Sequence, residues 1–531
     1  MLTRSTHDPL PAAAPTAHAD DAGASWSAAD RAADVPAPPS PTARRPSPRP
    51  PRSGTGGFRA RAKALALATT AALIALAGCS AAEPKRPAIP LDAPVALKVV
   101  YFSDDMFHQM YGNLFLSKYP NVEFDIVPTM TLYGENKDPA EEYKKLVEEH
   151  RPDVLVMDEG QYEALAAAGR LYGLEPLMKE SDFALDELTE GVAERLKHLG
   201  GGGLYGLAPF FAAQALYYNR DLFERHGVPT PTDGMTWEEV FALAARFPTD
   251  GDADARVYGL AQSVFAMDPF QLVKSVAASK ELSYLSPDGS TLTLDGVGWR
   301  EAFRLVADAY RSGAVAMPEP PQAAGEGVTF VVGDNSDPFL SGRAAMLIDG
   351  LQTLNFLKMK GVSTGADAPP DIGVVTIPVD PLHPETNPTF ALSQIFGIAA
   401  DSPNAAAAWE FIRYIHSKEF ADIRSKSSTE LLSREGYAVD RNGFDLRPFY
   451  ALRPGKAQES ALLPKGFPSA FHAAAAEELQ AAVQGDKTAD EAFDSFAKRA
   501  ARALEEANRS GEKEWVGRFA GGVSVSPMFV E

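Results

Sequence analysis

The chain has 531 residues, 45% of them apolar and 23% charged, with 50 Lys+Arg against 71 Asp+Glu and a net charge of −21. That composition is ordinary for a globular protein, and the length allows two or more lobes with proper cores. A single cysteine excludes an internal disulfide framework and a cysteine-based zinc site, and the acidic balance argues against a nucleic-acid partner.

Residues 1–58 are rich in Pro, Ala, Ser and Arg and show no apolar periodicity, so they are expected to be disordered, with translation starting nearer Arg59. Arg59, Arg61 and Lys63 then precede an uncharged apolar stretch over 64–78, so that 59–78 has the layout of an export signal. Fifteen residues at ~1.5 Å each reach about 22 Å, short of the ~30 Å hydrocarbon core, which disfavours a permanent span. The string Leu76-Ala77-Gly78-Cys79 resembles the bacterial lipobox. The resemblance implies that Cys79 is diacylated and becomes the mature N-terminus, two acyl chains giving stable anchoring. An uncleaved anchor with an incidental cysteine is the alternative. Residues 79–531 carry 41 basic and 66 acidic residues, a net charge of −25. Residues 79–94, with prolines beside Lys85 and Arg86, read as a tether between lipid and body.

The body begins with a strand-length apolar run at Leu97–Phe102. Val122–Val127 alternates as a half-buried strand does. Asp138-Pro139-Ala140-Glu141 predicts a helix start, because Asp138 accepts from free N–H groups, Pro139 fits the first position and Glu141 completes a reciprocal cap. Asp153–Met157 reads as a buried strand followed by a helix. Strand and helix alternate at spacings that favour an α/β fold with a parallel sheet wrapped by helices. Further on, Thr236-Trp237-Glu238-Glu239 and Thr488 with Glu491 are capping boxes, Ser402-Pro403 caps a helix containing Trp409, and Ala344–Ile348 and Ile372–Val375 are short buried strands. No solenoid repeat is found.

Residues 204–247 carry a recognisable pattern: Tyr205-Gly206-Leu207-Ala208-Pro209, Leu216–Phe223, Gly227-Val228-Pro229, Pro231-Thr232 and Thr236–Glu239. With Phe339–Met346, Phe396–Ala399, Ser402-Pro403-Asn404 and Ala408–Ile412, these strings resemble family 1 extracellular solute-binding proteins, the group that includes maltose-binding protein. The resemblance implies a two-lobe, periplasmic-binding-protein-like (type II) fold with a hinge and an interlobe cleft. Lobe 1 would be 95–213 plus 394–445, and lobe 2 would be 214–393 plus 446–531. It further implies a lipid-anchored capture component of an ABC importer. That component would be a monomer that works with permease subunits, takes a small polar solute such as a sugar or oligosaccharide, and needs no metal or cofactor.

Open α/β sheets bind ligands outside the carboxyl ends of their strands. Strand ends and matched loops give Asp158, Glu159, Phe210, Phe211, Gln262, Phe265, Asp349, Gln352, Gln394, Phe396 and His472 as candidate ligand contacts. Phenylalanines can take the apolar face of a pyranose, while carboxylates and amides take its hydroxyls. Each of these residues also has an ordinary structural role open to it: core packing for the phenylalanines, helix capping for Asp158 or Glu159, a structural or surface histidine for His472. The pattern departs from oligosaccharide binders at Gln352 and His472, where stacking aromatics are common. The five tryptophans fall elsewhere: Trp26 upstream of Cys79, and Trp237, Trp299, Trp409 and Trp515 in helical or peripheral settings.

Two rivals remain at this point. A glycan-active enzyme needs two carboxylates about 5 to 9.5 Å apart, which sequence does not exclude, although no Gly-x-Ser-x-Gly, His-Glu-x-x-His or phosphate-binding Gly loop is present. The run Asp250–Asp254 lacks the twelfth-position Glu of a calcium loop. A surface sensor feeding a membrane kinase would use the same hinge.

Overall fold

The computed structural model describes residues 94–516, apart from 133–136, 251–255, 264–267, 287–288, 295, 319–336, 358–370, 393, 429, 439–443 and 457–460. Cys79, the export segment, the tether upstream of Pro94, Phe265 and Asp252–Asp254 therefore lie outside the described residues. The described residues belong to one compact unit, Ala82–Glu531.

Two sheets organise this unit. The first has the order β2-β1-β3-β11-β4, from β1 (Val95–Tyr101), β2 (Val122–Pro128), β3 (Val154–Met157), β4 (Gly206–Leu207) and β11 (Ile395–Ile398). The second has the order β7-β8-β6-β9, from β6 (Ala215–Asn219), β7 (Tyr258–Gln262), β8 (Ala344–Asp349) and β9 (Ile372–Thr376). Short strands β5 (Phe210–Phe211), β10 (Thr386–Asn387), β12 (Leu431–Leu432) and β13 (Arg453–Pro454) lie between them in pairs, β5 with β12 and β10 with β13.

The helices used below are α1 over residues 104–118, α2 (Pro139–His150), α3 (Glu159–Ala167), α4 (Glu190–Leu199), α5 (Trp237–Ala244), α6 (Phe270–Ser279), α7 (Val297–Arg311), α8 (Ala405–Ile415), α9 (Phe467–Gln484) and α10 (Ala489–Ser510). Their starts follow the sequence signals. The Asp138 carboxylate accepts from the N–H groups of Ala140 and Glu141 with Pro139 in the first turn, and Thr236/Glu239 and Thr488/Glu491 form complete capping boxes. Two signals are corrected: Glu141 does not complete a reciprocal cap at Asp138, whose carboxylate caps the helix alone, and Ser402 does not cap α8. Helix α8 starts at Ala405 with Asn404 as its cap residue, and the Ser402 hydroxyl instead donates to Asp153 at 2.6 Å and accepts from the Asn404 N–H. Ser402 thus ties the loop to β3 rather than closing the helix end.

Most strands of each sheet point the same way, as the strand–helix alternation predicts, but both sheets are mixed, because each holds one strand that runs against both of its neighbours. β11 runs against β3 and β4, and β6 runs against β8 and β9. Topology gives the reason. Each of these strands follows a segment arriving from the other sheet, so it starts at the edge where its neighbours end and must run back.

The packing follows the two-residue period of the strands. On β6, Ala215 and Tyr217 point into a core shared with the first sheet, while Leu216 and Tyr218 point into a second core. That second core also takes Phe270 of α6, Trp299 and Phe303 of α7, Phe467 and Phe471 of α9, and Phe493 and Phe496 of α10. Trp409, on the apolar stripe of α8, is buried in the first core and donates from its indole N–H to Ser181 at 3.0 Å. Among the described residues no helix is long and apolar enough to cross a membrane.

Candidate ligand cleft

Strand registers define where the two sheets meet. Met157 at the end of β3 pairs with Ile395 at the start of β11, and Leu207 at the end of β4 pairs with Phe396. The carboxyl edge of the first sheet therefore carries the end of β3, the end of β4 and the start of β11. In the second sheet Ala215, the first residue of β6, pairs with Asp349 and Thr376, the last residues of β8 and β9. Residues 208–214 run from one carboxyl edge to the other. Residues 377–392 run back from the second edge toward the first, where Gln394 precedes β11. Two carboxyl edges joined in this way open onto a common groove, where open α/β sheets place ligands.

The connecting segments are laced together by buried polar groups. The side chain of Asn387 donates to the Gln214 carbonyl at 3.1 Å and accepts from the hydroxyl and N–H of Thr389, whose hydroxyl also takes the Gln214 N–H at 2.8 Å. Ala212 bridges Ala391, and the Gly455 N–H donates to the Asn387 carbonyl. A Cβ on Gly455 would lie 3.0 Å from Pro388 Cα and 3.1 Å from the Asn387 oxygen, a tight approach that a side chain could make only if the 387–388 backbone gave way slightly. Lobe 1 holds this lacing through an ion pair. Glu159, 1% exposed, accepts from Arg195 of α4, 5% exposed, at 2.9 Å and from the Leu392 N–H at 2.8 Å. Arg195 donates onward to the Gly455 carbonyl at 3.2 Å.

Glu159 is therefore enclosed in this clasp, and no carboxylate oxygen of it faces an open groove. The three phenylalanines are also enclosed. Phe211 stacks on Phe390 with ring centroids 4.9 Å apart and meets Tyr450 edge-on, while Phe210 and Phe396 pack against Tyr111. They glue the connecting segments to the core, the ordinary outcome for large apolar groups at a strand end.

On the lobe 1 edge Asp158 is exposed and forms a capping box with Gln161 at the start of α3. Gln394, just ahead of β11, accepts from the Tyr111 phenol at 2.5 Å and, at 3.5 Å, from Tyr101. Burial pushes the Tyr101 phenol up to about 12 and Tyr111 well above its ordinary value, so both stay protonated donors.

On the lobe 2 edge, Asp349, 3% exposed, accepts from the Gly350 N–H, the Gln352 amide and the Thr353 hydroxyl at 2.8, 2.8 and 2.5 Å, and from Ser263 beyond β7. Burial pushes its carboxyl up to about 6; these donors counter that rise, and the nearby Asp337 charge adds to it. Gln262 donates to the Tyr310 phenol at 2.5 Å, which donates to the Pro269 carbonyl. His472 meets Asp268 at 2.6 Å. Burial works to raise the Asp268 carboxyl, but His472, Lys274 and the Phe270 N–H outweigh it and hold it below its ordinary value. Among the described residues no cluster of three or more acidic or histidine side chains could hold a metal ion.

The structure thus gathers Gln394 with Asp158 on one edge and Asp349, Gln352, Gln262 and His472 on the other. Sequence reasoning missed Arg195, Asn387, Thr389, Tyr111, Asp268 and Tyr310. Arg195 had a signal: it falls on the apolar stripe Val192, Leu196, Leu199 of α4, where a charge must find a buried partner.

Residues 107–421, more than half of the chain, match the bacterial extracellular solute-binding protein family, and the chain belongs to that family. A mannitol-binding protein of Pseudomonas aeruginosa is 30% identical over 39% of this chain and 45% of its own length. The sn-glycerol-3-phosphate-binding periplasmic protein UgpB of Agrobacterium fabrum is 23% identical over 30% and 37%, and a Brucella abortus binding protein is 26% identical over 48% and 57%. The chain spans about half the length of the curated relatives it matches. Among solved structures, an extracellular solute-binding protein family 1 from Alicyclobacillus acidocaldarius aligns with a TM-score of 0.55 at 14% identity, over 79% of this chain and 98% of that one. The sugar-binding protein MalE of Xanthomonas citri aligns at 0.54 and 17%, over 79% and 100%. These likenesses show the two-lobe fold. The matching family and fold are those of binding proteins rather than enzymes.

Proposed function

We propose that the protein is the extracellular capture component of an ABC importer, anchored through lipid on Cys79, and that it takes a sugar or polyol into the groove between its two sheets. The observation that carries this reading is the pair of segments running between the two carboxyl edges, 208–214 and 377–392. A solute touching both edges stabilises the closed arrangement in proportion to what it gains from the second one. Asp158 and Gln394 contribute from lobe 1, and Gln262, Asp349, Gln352 and His472 from lobe 2. Mannitol and sugar binding among the relatives supports the solute class, and the chemistry ends at capture, with delivery to permease subunits and no change to the solute.

A thermal-shift screen of sugars and polyols on the full chain tests the proposal, because a solute at 100 times its Kd adds about 2.7 kcal/mol of stability. The expected result is one solute class raising Tm by several degrees, with the solute recovered unchanged by NMR. A turned-over glycan contradicts it. For the anchor, Cys79→Ala is expected to abolish palmitate labelling and release the protein from the membrane fraction.

A further inference from the structure

Resting on the sugar or polyol capture proposed above, we propose that two glutamines, each locked by a buried tyrosine, read the hydrogen-bond polarity of the solute. Gln394 on the first edge offers it donors and Gln262 on the second offers it an acceptor, so the solute must accept at one edge and donate at the other.

A glutamine amide has a donor end and an acceptor end, and an unrestrained side chain presents either by turning over. Here both amides are pinned. Tyr111 is fully buried, and its phenol has Gln394 as its one hydrogen-bond partner among the described residues. A buried O–H left without an acceptor is costly, and of the two ends of the amide only the oxygen can accept. Gln394 Oε1 therefore faces Tyr111 at 2.5 Å, and Tyr101 approaches the same oxygen at 3.5 Å. The Tyr111 ring is held in place by Phe420, stacked on it with centroids 5.9 Å apart, and by Phe396, edge-on at 5.0 Å. Gln394 Nε2 is the end left outward; it makes no hydrogen bond among the described residues and is not buried.

On the second edge the same residue type is set the other way. Tyr310, 4% exposed, donates its single phenolic proton to the Pro269 carbonyl at 3.1 Å. Its oxygen is then free only to accept, and Gln262 Nε2 donates to it at 2.5 Å. Gln262 Oε1 is the end left outward, again with no hydrogen bond among the described residues. Burial raises both phenols, Tyr111 and Tyr310, well above their ordinary value, so both keep the proton on which this arrangement depends. Gln262 ends β7 beside Ile348 of β8, and Gln394 directly precedes Ile395, the partner of Met157, so the two amides stand on the two carboxyl edges.

A hydroxyl both donates and accepts, so a sugar or polyol satisfies both amides with any pair of hydroxyls that reaches them. A solute bearing only acceptors leaves Gln262 unmet, and one bearing only donors leaves Gln394 unmet.

The test is calorimetry on the full chain with D-mannitol, D-glucose and maltose, repeated on Gln394→Glu and Gln262→Glu at pH 8, with the introduced carboxyl ionised. Gln394→Glu keeps an oxygen for the two phenols but turns the outward donor into an acceptor, and affinity is expected to fall by more than about tenfold. Gln262→Glu keeps an outward oxygen, and its loss is expected to be several-fold smaller. Equal losses, or a larger loss in Gln262→Glu, overturn the polarity while leaving solute capture standing. NMR of the wild-type chain decides independently of how either variant folds. The Gln262 side-chain amide protons are expected to show strong NOEs to the Tyr310 ring and those of Gln394 weak ones to the Tyr111 ring; equal or reversed intensities overturn the proposal. Silence from all three solutes would instead remove the solute-capture reading, and the selection with it.

Discussion

Glu159 and Asp349 are buried carboxylates in nearly the same topological place, the first two residues past the end of β3 and the second the last residue of β8, yet the protein treats them oppositely. Glu159 meets a guanidinium and a backbone N–H. Asp349 meets only neutral donors and sits near another aspartate, so its carboxyl is pushed up to about 6. A buried carboxylate with a full counter-charge fixes structure; one with neutral donors alone stays responsive to its surroundings. The first locks the connecting segments onto the first sheet's side, and the second stands at the carboxyl edge of the second sheet.

The comparison breaks most easily at Arg195. Arg195→Met strands the Glu159 charge and is expected to destabilise the protein by about 3–5 kcal/mol in urea unfolding. The double variant with Glu159→Gln should recover most of that loss, since the uncompensated charge is gone. A single variant within about 1 kcal/mol of wild type would mean that the clasp holds nothing.

Asp349→Asn should act in the opposite sense. The folded carboxyl titrates near 6 against 3.8 unfolded. Its contribution is therefore fully present below about pH 4 and is lost as pH rises through 6, a difference of up to about 3 kcal/mol. The variant should match wild type near pH 4 and exceed it by about 1–3 kcal/mol at pH 7. A stability difference that does not change between pH 4 and pH 7 would contradict the assigned environment.

Two smaller effects sharpen the contrast between edge and hinge. Gln352→Ala is expected to weaken solute binding by about 1 kcal/mol, several-fold in Kd by calorimetry, with folding retained. Asp158→Ala removes a capping box and should lower stability by about 1 kcal/mol, far less than the loss at its neighbour's partner Arg195.

These residues also mark how much of the molecule is legible in its sequence. The strands at 122–128, 154–157, 344–349 and 372–376, and the helix starts at Asp138, Thr236 and Thr488, follow from local period and cap chemistry. Strand ends point to Asp158, Asp349 and Gln352, because the carboxyl edge is a property of chain direction, and the later crossing points to Gln394. What local pattern does not carry is the partner across the fold. Glu159 and Asp349 look alike in sequence, and the counter-charge that separates them comes from Arg195, 36 residues away from Glu159. Phe210, Phe211 and Phe396 look like platforms until Phe390, Tyr111 and Tyr450 arrive from distant segments to cover them. The single antiparallel strand in each sheet is likewise invisible to spacing, since it depends on where the chain re-enters from the other lobe.

The most direct test of capture by closure is small-angle scattering on the full chain, with and without a saturating solute identified by thermal shift. Closure of the two edges on a shared solute predicts a smaller radius of gyration in the bound form. An unchanged scattering curve under saturating calorimetric binding would contradict it, because the solute would then be held by one sheet alone.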